Sequence, residues 1–160
     1  MLKLNLGFGN WPINGYENID IANGKKVYPL MDYADNSVDE IRASHILEHF
    51  AGKEVEAVLA DWTAKLKIGG VLKIAVPDFG LLVKAYVNGE VLNYVGYICG
   101  GQTDENDFHK MIFDENCLRE YLKTFGFVDI RKWKSEIADC ASYDISLNLQ
   151  GIKREKEKEI

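Results

Sequence analysis

The sequence predicts an α/β layer fold built on a mostly parallel sheet. Three observations carry that prediction. Short apolar runs alternate with segments of helical spacing along most of the chain. One run, residues 71–76 (VLKIAV), is nearly continuous in apolar character, the mark of a strand covered on both faces. A glycine turn at Gly7 and Gly9 follows the first apolar run directly, as ligand-binding turns do in such sheets.

The elements follow in order. Residues 2–6 (LKLNL) are apolar-rich, stop at Gly7 and read as a buried strand. Residues 17–21 (ENIDI) read as a second short strand that ends in an acid, Asp20. A third strand is expected over 38–43, with apolar positions at Val38, Ile41 and Ala43. Residues 53–66 form the clearest helix, because Val55, Val58, Leu59, Trp62 and Leu66 share one face. Gly69 and Gly70 are expected to close it in the left-handed cap conformation. The 71–76 strand stops at Pro77, and a short helix follows over 79–87. Residues 100–107 (GGQTDEND) are loop by composition. Asp114 is a good N-cap for a helix over 115–124, with Leu118, Tyr121, Leu122 and Phe125 as its apolar stripe and Gly126 as its stop. Residues 128–133 and 146–152 are the last two strands. One domain is thus expected over 1–152, followed by a charged, solvated tail over 153–160.

Bulk properties exclude several classes. With 160 residues, 47% of them hydrophobic and 28% charged, the chain has the composition of a soluble globular domain that can bury a core without staples. A net charge of −6 argues against a broad face for nucleic-acid phosphates. Cys99, Cys117 and Cys140 are widely spaced and odd in number, which fits reduced thiols in a cytoplasmic compartment. None forms a CxxC pair, so no zinc knuckle is expected. The N-terminus lacks the pattern of a signal peptide, and no apolar run is long enough to span a bilayer. Oligomeric state is left open.

The glycine turn discriminates among ligands. A dinucleotide site needs a helix N-terminus after its glycines, because helix amides and dipole hold the pyrophosphate. Only residues 10–16 separate Gly9 from the next strand, too few for a crossover helix. The first crossover helix is therefore shortened or missing, and an NAD site is disfavoured. An acid at the end of the second strand, Asp20, is where an unphosphorylated ribose is selected. It also suits a plain strand-end turn.

Four segments in this order, LNLGFG with YENIDI, SVDEIRASHILEHF, KIGGVLKIAVPDF, and His109 through Gly126-Phe127, resemble the class I S-adenosylmethionine-dependent methyltransferases. The small predicted methyltransferases of that class are the most similar in look. The departures are Phe8, where a small residue is usual, and the absence of a third glycine. The resemblance implies a Rossmann-like, seven-stranded sheet with an antiparallel C-terminal hairpin and S-adenosylmethionine as cofactor. It implies that Gly7, Phe8 and Gly9 pass close to the methionine part. Asp20, with Ile21 beside it, would take the ribose hydroxyls. Asp32 would face the adenine amino group, with Tyr33 beside the ring. Ser44 and His45 would line the cofactor's other side, and Trp11 would cover it where the helix is missing. For Asp32 a turn in DYADNS is an equal reading.

Catalytic candidates are His109, Asp78 and His45. A histidine suits proton removal from an acceptor hydroxyl. Asp78 follows the 71–76 strand at the ligand edge of the sheet, but it equally suits a helix N-cap. His49 reads better as a buried histidine bonded to backbone than as a catalytic residue. Tyr97, Gln102 and Lys110 share the His109 region. His45-Ile46-Leu47-Glu48-His49 matches the inverted zincin pattern H-x-x-E-H. It is set aside as a zinc hydrolase because His45 sits at a strand end with no helix behind it, and no metal is assigned. The expected function is methyl transfer to a small-molecule acceptor, with no nucleic-acid or membrane partner. A non-catalytic S-adenosylmethionine-binding module is the alternative.

Overall fold

The computed structural model describes residues 1–155; of the expected tail over 153–160, residues 156–160 lie outside them. Six strands form one sheet: β1 (Lys3–Leu6), β2 (Glu17–Ile19), β3 (Val38–Ser44), β4 (Leu66–Pro77), β5 (Phe127–Lys132) and β6 (Ser146–Lys153). Their spatial order is β2-β1-β3-β4-β6-β5. The first four are parallel, while β6 runs antiparallel to both β4 and β5. Among the described residues four α-helices accompany them: α1 (Gly52–Lys65), α2 (Phe79–Val87), α3 (Tyr94–Cys99) and α4 (Glu115–Thr124). Among the described residues no helix is long and apolar enough to cross a membrane.

Each buried face follows from its sequence pattern. Val55, Val58, Leu59 and Trp62 of α1 are fully buried, as the helical stripe requires. Leu118 and Leu122 of α4 are buried likewise, and Asp114 caps that helix by accepting from Cys117 N at 2.8 Å. Gly126 follows α4 at φ +84°, in the left-handed region a glycine tolerates. Leu72, Ile74 and Val76 of β4 are buried in one core cluster with the stripes of α1 and α4, and Ala75 between them is buried as well.

Several expectations are corrected. Six strands stand where seven were implied, because the described residues after β2 form no further edge strand. The chain over 24–37 runs as turns and coil. Gly69 and Gly70 do not cap α1. Leu66 leaves the helix at ψ 140° and pairs at once with Val38, so β4 starts earlier than 71. The glycines instead absorb a register shift between the Leu66 and Val71 pairings, and a Cβ on Gly70 would meet Lys67 O at 2.9 Å. Asp20 and Ile21 lie past the end of β2, in a single 3-10 turn and its cap. The sequence pattern assigns no element to 94–99, where the structure has α3; six residues are too few for periodicity to show. Lys153 belongs to β6 rather than to the tail; its Nζ donates to Leu66 O at 2.7 Å.

Candidate functional site

Strand order reverses between β1 and β3, and ligands in open α/β sheets bind outside the strand ends at such a reversal. A cleft of about 1110 Å³ opens there. Gly7, Phe8, Gly9 and Trp11 line it after β1, Asp20 and Ile21 after β2, Ser44 at the end of β3 with His45 just past it, and Pro77 ends β4 in it. The volume exceeds what a small-molecule ligand needs, so it has room for a cofactor and an acceptor together.

The turn after β1 is held without a helix. Gly7 and Gly9 adopt φ +64° and +50°. A Cβ on Gly7 would lie 2.6 Å from Ile46 Cδ1, so only glycine lets the turn close onto the segment after β3. At Gly9 the nearest atom to such a Cβ is 4.0 Å away, which leaves the backbone open to a ligand. Asp20 Oδ2 accepts from Gly9 N at 3.0 Å and Oδ1 from Ala22 N at 2.9 Å. The acid thus ties the two strand ends together and keeps further acceptor positions free.

Two asparagines do the scaffolding. Asn5, fully buried on β1, donates to Trp11 O at 3.2 Å and to its β2 register partner Asn18 at 2.9 Å. Asn18 accepts from Ile13 N and donates to Ile13 O and Tyr16 O. Asn5 Oδ1 in turn accepts from Arg42 Nη1 at 3.2 Å, and Arg42 is ion-paired with Asp139. Ser44 and Ser135 both donate to the Asp139 carboxylate, at 2.8 and 2.7 Å. Burial alone would raise the Asp139 pKa; the hydrogen bonds from Arg42, Ser135 and Ser44 and the Arg42 charge outweigh it and hold the carboxyl below its ordinary range. This buried chain links β2, β1, β3 and the strap between β5 and β6 under the cleft.

The histidines gather past the end of β3. His45 takes φ +53°, an uncommon backbone region for a non-glycine residue, just past β3. A 3-10 turn, Leu47–His49, then brings Glu48 and His49 round. His109 arrives from the loop after α3, which is clamped to that turn by Lys110 N donating to Glu48 O at 2.7 Å. The His49 and His109 rings meet edge to face at 4.8 Å. Burial holds His109 below the ordinary histidine pKa, outweighing the upward pull of the Glu48 charge.

Some candidates stand elsewhere. Asp32 and Tyr33 line a separate small pocket of about 290 Å³ with Ile19 and Pro29, not the main cleft. Tyr33 donates to Glu17 at 2.7 Å. Val27 and Tyr28 line the cleft instead. Asp78 is buried, caps α2 by accepting from Leu81 N at 3.2 Å, and does not line the cleft. Gln102 is also outside it, whereas Tyr97 and Lys110 are in it. Sequence reasoning missed Arg42, Asp139, Cys140 and Tyr143, which come to the cleft from β3 and from the strap after β5. Nothing in the third strand (VDEIRAS) marks Arg42 out, because Asp39 and Glu40 precede it in the same strand.

No family model and no curated protein matches the chain. Solved structures do. The chain is similar to a methyltransferase from Thermotoga maritima described as a possible histamine N-methyltransferase, at 16% identity and TM-score 0.64 over 96% of this chain and 82% of that one. An S-adenosylmethionine-dependent methyltransferase from Methanosarcina mazei matches at 16% identity and TM-score 0.62, over 96% and 92%. One from Archaeoglobus fulgidus matches at 16% identity and TM-score 0.60, over 94% and 85%. Taken with the sheet order and the antiparallel end, these likenesses show that the chain has the Rossmann-like fold of the class I S-adenosylmethionine-dependent methyltransferases.

Proposed function

We propose that the protein binds S-adenosylmethionine in this cleft and transfers its methyl group to a small-molecule acceptor. The observation that carries the reading is the turn between β1 and β2: open backbone at Gly9, an acid at Asp20 bonded to it, and no helix N-terminus. That donor and acceptor set suits a ribose without phosphates. The charge of the cleft supports it. Its lining holds five acids (Asp20, Glu54, Asp104, Asp107, Asp139) against three bases (Lys26, Arg42, Lys110); Arg42 and Asp139 pair with each other, which leaves four acids against two bases. A net-acidic cleft favours a sulfonium cation and disfavours a pyrophosphate.

When bound, the sulfonium supplies both the methyl group and the leaving group, so orientation and exclusion of water remain for the chain to provide. Asp20 is the ribose acceptor in this reading. Gly7, Phe8 and Gly9 lie along the methionine part, Ile21, Val27 and Tyr28 flank the adenosine, and Trp11 covers the side where a helix is missing. Ser44 supports from below through Asp139. His45 and His109 stand on the acceptor side.

Thermal melting in parallel with S-adenosylmethionine, S-adenosylhomocysteine, NAD and ATP tests the reading. Both adenosyl ligands are expected to raise the melting temperature, and NAD and ATP to leave it unchanged. No shift with either adenosyl ligand at saturating concentration would remove the proposal. A shift without methyl transfer to any acceptor in a broad panel would make the protein a binding module instead.

A further inference from the structure

We infer that Glu48, His49 and His109, with His45 beside them, form a binding site for one divalent first-row metal ion at the acceptor end of the cleft. Glu48 is 1% exposed, and neither of its carboxylate oxygens has a hydrogen-bond partner among the described residues. A carboxylate buried in that way is strongly disfavoured unless a cation compensates it. Nitrogen atoms converge on it. His45 Nδ1 lies 3.2 Å and His109 Nε2 4.0 Å from Glu48 Oε1. His49 Nδ1 is buried and also unpartnered among the described residues. One ligand atom from each of Glu48, His49 and His109 falls within 4.8 Å of the others.

The hydrogen bonds behind these side chains decide where the protons are. Asn148 Nδ2 donates to Trp133 O and Ala141 O, so its Oδ1 is an acceptor and takes the hydroxyl proton of Ser146 at 2.7 Å. Ser146 Oγ, its proton used, accepts from His45 Nε2 at 2.9 Å. The neutral His45 ring therefore carries its proton on Nε2 and a lone pair on Nδ1, towards Glu48. Tyr97 O, which can only accept, fixes the His109 proton on Nδ1 at 3.0 Å and leaves the lone pair on Nε2, again towards Glu48. Lone pairs thus face a carboxylate from two sides. A proton on His45 Nδ1 would supply a compensating charge but no hydrogen bond to either Glu48 oxygen, and it would leave His109 Nε2 and His49 Nδ1 without partners. A metal ion among them resolves every contact at once. Imidazole N–H groups anchored on a carbonyl or hydroxyl oxygen are also what orients metal-binding histidines.

Two or three imidazoles with one carboxylate suit zinc, manganese, iron or cobalt in the divalent state rather than magnesium or calcium. Ligand atoms around a tetrahedral zinc lie roughly 3.4 Å apart, so the widest separation in the set needs to close by at most about 1.4 Å. His45, His49 and His109 line the cleft while Glu48 lies beneath it, so the free coordination position faces the cleft. On the methyltransferase reading, on which this last point rests, an acceptor oxygen would occupy it. The H-x-x-E-H pattern is thereby used, but on a strand-end turn and completed by His109 from a distant segment.

Zinc and cobalt titration of the chelator-treated full chain, without any adenosyl ligand, tests the site. One zinc ion should bind per chain, and cobalt should give a visible d–d band. Glu48→Gln and His109→Asn should each weaken zinc binding by about tenfold or more. Metal-free Glu48→Gln should melt no lower than wild type, since it removes an uncompensated charge, and should lose the stabilisation by zinc. Wild type that binds neither metal at millimolar concentration, or variants that bind like wild type, would overturn the inference. Zinc binding without S-adenosylmethionine binding would leave the metal site standing and remove only the methyltransferase reading.

Discussion

At the residue scale the account rests most on Asp20. Its two carboxylate oxygens already hold Gly9 N and Ala22 N, so the side chain is fixed before any ligand arrives. Asp20→Ala is predicted to lower S-adenosylmethionine affinity by roughly 10- to 100-fold, the worth of about 1.5–3 kcal/mol for hydrogen bonds to a charged group. Isothermal titration reads this directly, and an unchanged affinity would remove the ribose role. Gly7 is tested through stability. Gly7→Ala would place a Cβ at φ +64° and 2.6 Å from Ile46, and should cost about 1–3 kcal/mol in urea unfolding. An acid after a glycine turn carries its reason in the sequence, and the structure brings Asp20, Gly7 and Gly9 to one cleft. Asp32 lies in the turns over 24–37 beside a separate small pocket, a placement that nothing local in DYADNS marks. Asp78 offered two readings with one sequence signal, and the structure gives the capping one.

At the element scale the unusual feature is the crossover from β1 to β2. A helix normally satisfies the backbone of such a connection; here Asn5 and Asn18 do so from the strands themselves. Asn18→Ala would strip Ile13 N, Ile13 O and Tyr16 O of their side-chain partner. A loss of about 1–3 kcal/mol is expected, with faster amide exchange over 10–16 and little change elsewhere. Uniform exchange across the chain would contradict the assignment of that loop to the two asparagines. The shortness of the crossover was plain in the sequence. The means of holding it was not, because a single polar residue in a short strand does not reveal that it points into a fully buried position. The elements themselves were largely legible: α2 and α4 span the expected residues, since apolar stripes, Asp N-caps and Gly126 all agree.

At the scale of the whole molecule, the Arg42–Asp139 pair joins the middle of the sheet to the strap between β5 and β6. Their side chains are 6% and 4% exposed, and Arg42 also stacks 5.3 Å from the Trp133 ring. Removing one partner leaves a buried charge, so Asp139→Ala is predicted to cost about 3–5 kcal/mol. The pair also sets an acid limit. Asp139 is held below its ordinary range, so its stabilising contribution is complete above the unfolded value near ~4 and is lost as pH falls through the folded value. The acid midpoint of unfolding should therefore move upward in variants that weaken the Ser44 or Ser135 bonds, such as Ser44→Ala. An unmoved midpoint would show that other carboxylates govern acid unfolding. This pairing was hidden in the sequence, since 97 positions separate the two residues and nothing local marks Asp139 as more than a loop acid.

The central claim is that the cleft at the β1–β3 reversal binds an adenosyl ligand without phosphates. Calorimetric titration of the full chain with S-adenosylhomocysteine, with NAD as the competitor, tests it most directly. The account predicts one saturable site per chain for S-adenosylhomocysteine, weakened in Asp20→Ala and undisturbed by excess NAD. No binding of S-adenosylhomocysteine, or displacement of it by NAD at comparable concentration, would contradict it.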